Sequence, residues 1–150
     1  MEFQTKVQRE CYQQVATWME EMFDKYPWEK LDEPGFGLFM GSAWVEVRIH
    51  PWQQDAAIET RSHVVRGAEI TPELMQFLLR KNAELHIGGF GLLFDNTIVY
   101  QHSITGTNLD ENELVTSVNT VAVIADHYDD LIVEKSGGKR ATDVVEDLEN

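Results

Sequence analysis

Three groups of side chains have the types and spacing to do chemistry. The densest run of glycines lies in GGFGLLFDNTIVYQHSITG, from Gly88 to Gly106, where Gly89-Phe90-Gly91 has the start of a phosphate-cradling loop. A dinucleotide fingerprint needs a third glycine and a helix opening directly behind it, because the phosphate sits on the helix N-terminus. Phe94 holds that third position and the segment runs on as strand, so the glycines point to a hairpin and away from a nucleotide. The run ADHYDD supplies Asp126, His127, Asp129 and Asp130, with Asp126 and Asp130 on one helix face. Catalytic zinc wants three protein ligands with histidine prominent, and neither His-x-x-x-His nor Glu-x-x-His occurs. A solvated acidic stretch of helix beside Tyr128 is the plainer reading. Glu46 and Glu59 are expected to face each other across two strands, a like-charge pair of the sort that splits into acid and base. Arg48 and Arg61 fall diagonally beside them, which makes a salt-bridged sheet surface the plainer reading there.

The remaining nucleophiles are weaker candidates. Histidines 50, 63, 86, 102 and 127 stand beside no G-x-S-x-G motif. Cys11 sits on an apolar helix stripe, where a cysteine packs as a small core residue. No catalytic, cofactor-binding or metal-binding residue is assigned. The alternative to a binding module is a small-molecule or metal-dependent enzyme built on Glu46 and Glu59 or on the Asp126 to Asp130 cluster.

The elements that position these groups can be read from periodicity. From about Phe3 to Lys25, Val7, Cys11, Val15, Trp18 and Met22 form one helical stripe. YPWEKLDEPG, with two prolines, is a connector. Phe36, Leu38 and Met40 then alternate, Gly41-Ser42 fits a type II′ turn, and Ala43, Val45, Val47 and Ile49 alternate after it. Pairing Met40 with Ala43 puts all of these on one face. A turn at PWQQ leads to a third strand, Asp55 to Val65, whose Ile58, Thr60 and Val64 join that face. The other face carries Trp44, Glu46, Arg48, Glu59, Arg61 and His63.

A second helix follows Thr71 as N-cap and Pro72 at the first helical position, with Leu74, Phe77, Leu78 and Leu85 as its stripe. The glycine-rich stretch is a second hairpin with an Asp95-Asn96 turn, pairing Leu92 with Val99 and Gly91 with Tyr100. Gly91 would then make room for the Tyr100 ring. In that register Phe90, Leu92, Phe94 and Val99 lie on one face and Leu93, Ile98, Tyr100 and Ile104 on the other, and a helix or a partner must cover the second apolar face. A third helix starts from Asp110 and Glu113 and carries Leu114, Val118, Val121, Ala125, Tyr128 and Ile132 as a core seam. Residues 1–138 make the domain, and residues 139–150 an acidic, flexible tail with a short, frayed helix. The order is αβββαββα. Turns this short forbid parallel crossovers, so the sheet is antiparallel and the class is α+β.

Composition narrows the function. Hydrophobic residues at 43% and charged residues at 25% describe a folded globular chain. With 12 Lys and Arg against 26 Asp and Glu, the formal charge of −14 repels nucleic acid and anionic lipid, so neither is expected as a partner. A lone cysteine permits no internal disulfide and fits a reducing, cytoplasmic setting. The first residues resemble neither a signal nor a transit peptide, and no apolar run approaches the roughly 20 residues of a membrane span.

The stretch GGFGLLFDNTIVYQHSITGTNLDENELVTSVNTVAVIADHYDDLIVEKSGG resembles the C-terminal half of the YbjN family, also called bacterial sensory transduction regulators. The element order is similar to that of type III secretion chaperones. The resemblance implies a homodimer that binds or regulates a protein partner and carries out no catalysis. Trp44, Arg48, Arg61 and Tyr100 are the candidate partner-binding residues, on the outward sheet face or in an apolar groove. The acidic C-terminus is a further candidate, as a polyanion attracting a basic partner.

Overall fold

The computed structural model describes residues 1–149. Helix α1 (Lys6–Met22) starts at Thr5, whose hydroxyl accepts the Gln8 N–H at 3.0 Å. Helix α2 (Pro72–Glu84) starts at Thr71, which accepts from Leu74 N at 3.1 Å, with Pro72 as its first residue. Helix α3 (Glu111–Ser136) starts at Asp110, which accepts from Glu113 N at 2.7 Å. Each cap satisfies a backbone donor that no helical carbonyl can reach. A short helix α4 (Ala141–Glu149) closes the described chain.

Strands β1 (Trp28–Lys30), β2 (Gly35–Met40), β3 (Ala43–Trp52), β4 (Asp55–Val65), β5 (Gly89–Leu92) and β6 (Ile98–Thr105) form one sheet in the order β1-β2-β3-β4-β6-β5. All neighbours pair antiparallel. The class is therefore α+β with an antiparallel sheet. One sheet face carries Phe36, Leu38, Val45, Val47, Ile49, Ile58 and Tyr100, all buried under α1 and α3. The opposite, outward face is partly covered by α4, which packs against β3 and β4.

The first hairpin forms as its alternation predicts: Met40 pairs with Ala43, Leu38 with Val45 and Phe36 with Val47, and Gly41 takes the positive φ of 62° that the turn requires. Two registers differ from the sequence expectation. Strand β3 runs on to Trp52, and the turn to β4 falls at Gln53-Gln54, with Gln53 at φ 51°. The pairing slips by two residues, which keeps every side chain on its face but replaces Glu46 opposite Glu59 with Glu46 opposite Arg61 and Arg48 opposite Glu59. The like-charge pair becomes two opposite-charge pairs.

In the second hairpin Asn96 adopts the left-handed conformation at φ 66°, Asn96 N donates to Leu93 O, and Leu93 N donates to Thr97 O. This longer loop shifts the register by one. Gly91 now faces Val99, while Phe90 faces Tyr100 and packs edge-on against it at 4.9 Å. The residue that makes room for Tyr100 is Gly88, at φ 80°, where a Cβ would come within 2.8 Å of the ring. The slip also sorts the hairpin's apolar residues: Ile98, Val99 and Tyr100 are buried, and Phe94 is left fully exposed at the loop.

In α1 the buried stripe is Gln8, Tyr12, Val15 and Met19, one position around from the predicted one. Gln8 earns its place inside by donating Nε2 to Ile49 O at 2.9 Å, and Tyr12 stacks on Phe36 at 5.0 Å. Strand β1 lies within the segment read as a connector, paired with β2 through Trp28↔Leu38. Within the segment read as a tail, residues 141–149 are helical; Asn150 lies outside the described residues.

Candidate functional site

The outward sheet face and α4 enclose a groove of about 620 Å3. Phe39, Trp44 and His63 form its floor, Val144, Val145 and Leu148 its far wall, and Arg66 and Lys139 stand at one edge. Its lining is predominantly apolar, with few polar groups, the usual character of a binding cleft. The groove exists because β2 and β3 place Phe39 directly opposite Trp44, and the two rings pack at 4.9 Å. Gly37 is the reason the indole can lie flat: a Cβ there would come 2.2 Å from Trp44 Cζ2. The indole N–H donates to Glu46 Oε1 at 3.0 Å, which fixes the ring's orientation.

Beyond Trp44 the same face becomes a charge ladder. Arg48 Nε donates to Glu46 Oε2 at 2.9 Å and its Nη1 to Glu33 Oε2 at 3.1 Å. Arg61 donates to Glu59 Oε2 at 3.3 Å and to Gln101 Oε1 at 2.9 Å. Burial pushes the Glu46 carboxyl up, but the Trp44 N–H and the Arg48 guanidinium outweigh it and hold it below the usual carboxylate range. Glu46 is thus ion-paired with Arg48, and Glu59 with Arg61. Desolvation holds His63 below the usual imidazole range, against the pull of Glu46 and with the repulsion of Arg66 and Arg61. The groove floor at neutral pH is therefore uncharged.

Of the sequence candidates, Trp44 lines the groove, and Arg48 and Arg61 lie on the same face beside it. Tyr100 does not join them. It is wholly buried on the core face, where its hydroxyl donates to Ile87 O. The reason is the pairing of β6 with β4, which puts Tyr100 opposite the core residue Ser62.

The Asp126 to Asp130 cluster is built differently from a metal site. Asp126 Oδ1 accepts Ser42 N at 2.8 Å, and Ser42 Oγ lies 2.5 Å from Asp126 Oδ1 and 2.5 Å from Asp129 Oδ2. Asp130 accepts from Arg140 at 3.1 Å. These acids pin the β2–β3 turn and the start of α4 onto α3. Among the described residues no group of three or more His, Cys, Asp and Glu side chains has metal-holding geometry. In α4, Asp143 and Asp147 pair with Arg140 and Lys139.

The α4 wall, Phe39 and Arg66 were not singled out from the sequence. The spacing of Val144, Val145 and Leu148 does carry the signal of an apolar helix face, but over too few residues to tell which surface it meets. Among the described residues no helix is long and apolar enough to cross a membrane.

Residues 9–144 match the model of a family described as T3SS (YopN, CesT) and YbjN peptide-binding chaperone 1. No protein of curated function matches the chain.

Proposed function

The chain belongs to this family of peptide-binding chaperones, and on that premise we propose that it is a non-enzymatic module that captures an apolar segment of another protein in the groove between the sheet and α4. The observation that carries this reading is the apolar cleft of about 620 Å3, whose wall residue Leu148 is 82% exposed. Burying one Leu or Phe side chain there contributes about 1.5–3 kcal/mol. Two or three such anchors contribute about 3–9 kcal/mol before the cost of ordering the segment, so roughly micromolar affinity is the upper end of what they supply. Trp44 is the anchor of the face, a residue type that dominates binding energy elsewhere. Arg48 and Arg61, ion-paired as they are, extend the face and contribute mainly orientation.

The module acts as a homodimer in this reading. The support is apolar surface away from the groove: Met75 and Leu79 on α2, and Leu92 and Phe94 in the second hairpin, are all exposed. The lone Cys11 supports a reducing, cytoplasmic setting.

Selection from a displayed library of short peptides tests the groove. Enrichment of sequences rich in Leu, Ile, Val and Phe, whose binding is lost on Trp44→Ala or Val145→Lys, is the expected outcome. No enrichment, or enriched peptides indifferent to both substitutions, would rule it out.

A further inference from the structure

We infer that α4 is a hinged gate over this groove, latched by Arg140 and swung aside to admit the bound segment. The inference rests on the peptide-binding reading above. The chain is pinned immediately before the helix. Lys139 and Arg66 exchange backbone hydrogen bonds at 2.9 and 2.7 Å, and Gly138, at φ 95°, fits so closely that a Cβ would stand 2.7 Å from Arg66 O. Beyond that pin, attachment to the body is slight. Among the described residues, the one ion pair joining residues 139–149 to the rest of the chain is Arg140 to Asp130.

The other ion pairs of the segment, Arg140 to Asp143 and Lys139 to Asp147, are internal to it. They hold the helix together without holding it down. No described side chain of α4 is buried. A helix this short is marginal without packing, and an element with few buried apolar contacts opens at low free-energy cost.

The two ends of α4 therefore differ. The start is fixed at Arg66 and latched through Arg140 to α3, while the far end presents Val145 and Leu148 to a cleft that they do not fill. Rotation about the pin changes the width of the groove. Closure onto a bound segment buries the same two side chains, so the partner supplies the packing that the free helix lacks.

Amide hydrogen exchange on the full chain tests the gate, with a library-selected peptide as probe and Arg140→Gln as the unlatched variant. In the free protein α4 amides exchange much faster than the central amides of α3. The peptide slows α4 exchange by about tenfold or more, and Arg140→Gln speeds it by about two- to fivefold and shortens the peptide's residence time by a similar factor. Arg140→Lys restores part of both, since it keeps the charge but loses the fork. Equal protection of α4 and α3 in the free protein overturns the inference, as does a bound peptide that leaves α4 exchange unchanged, or a residence time that Arg140→Gln does not alter. Failure of every peptide to bind strikes the groove reading instead, and the gate is then judged on α4 exchange in the free wild type and Arg140→Gln alone.

Discussion

Ser42 Oγ lies 2.5 Å from a carboxylate oxygen of Asp126 and 2.5 Å from one of Asp129, and a hydroxyl carries a single proton to donate, so the two carboxyls compete for it. Asp129 is the one whose surroundings favour the protonated form. It is 2% exposed, and its Oδ1 has no hydrogen-bond partner. Burial pushes its carboxyl above the usual range against the pull of Ser42, and Asp130 and Asp126 add to the rise. Asp126 is held below the usual range by the Ser42 hydroxyl and amide, with Arg140 from the α4 segment assisting.

The signs of the two linkages are opposite. A carboxyl raised on folding stabilises fully below its unfolded pKa and loses that contribution as pH climbs through the folded value; Asp126 contributes in the other direction. Asp129→Asn keeps a donor for Ser42 and cannot ionise. Its melting temperature, followed by circular dichroism from weakly acidic to mildly alkaline pH, should fall less than that of the wild type. The gap should widen steadily toward the alkaline end, whereas parallel profiles would contradict the assignment. The sequence displays the carboxylates but not their use, because Ser42 is 84 residues away from Asp126.

At the level of elements, the outer edge of β5 is closed by a side chain. Asn82 of α2 donates Nδ2 to Phe90 O at 3.2 Å and accepts Phe90 N at 2.7 Å through Oδ1, as a neighbouring strand would. An edge strand left open invites pairing with another chain. Asn82→Ala should cost about 1–2 kcal/mol in denaturant unfolding, by leaving backbone groups unpaired, and should speed exchange at the Phe90 amide. Neither effect would appear if the contact were incidental.

Elements were legible wherever period and punctuation agreed. Thr71-Pro72, Asp110 with Glu113, and the alternation through Gly41-Ser42 each specify one geometry. The registers failed at the turns: Gln53 took positive φ, which its residue type does not announce, and at Asn96, whose type tolerates it, the loop proved longer than the two-residue turn the sequence suggests. The α1 stripe Val7, Cys11, Val15, Trp18 and Met22 does pack against the core, but the most buried line runs one position around, because Gln8 is buried through its bond to Ile49 O and a count of apolar residues passes over it.

For the whole molecule, the antiparallel α+β architecture followed from short connections, but the groove did not. Its floor comes from β2 to β4 and its wall from α4, and only the folded chain brings Trp44 beside Val144 and Val145. Self-association belongs to this scale as well. Sedimentation equilibrium should give a dimer mass for the wild type and a monomer for Met75→Lys with Leu79→Lys, because like charges facing across a two-fold axis repel. A monomeric wild type would refute the α2 interface and leave the groove untouched.

The central claim is that the α4-walled groove holds the partner. Fluorescence anisotropy of a labelled, library-selected peptide tests it most directly, comparing the wild type with Leu148→Lys in the groove wall and Val123→Lys outside it. The two replaced side chains are 82% and 65% exposed, so both variants keep the core while making the same change of charge. Leu148→Lys should weaken binding by about tenfold or more, and Val123→Lys by no more than about twofold. Equal affinities for the two variants would contradict the account.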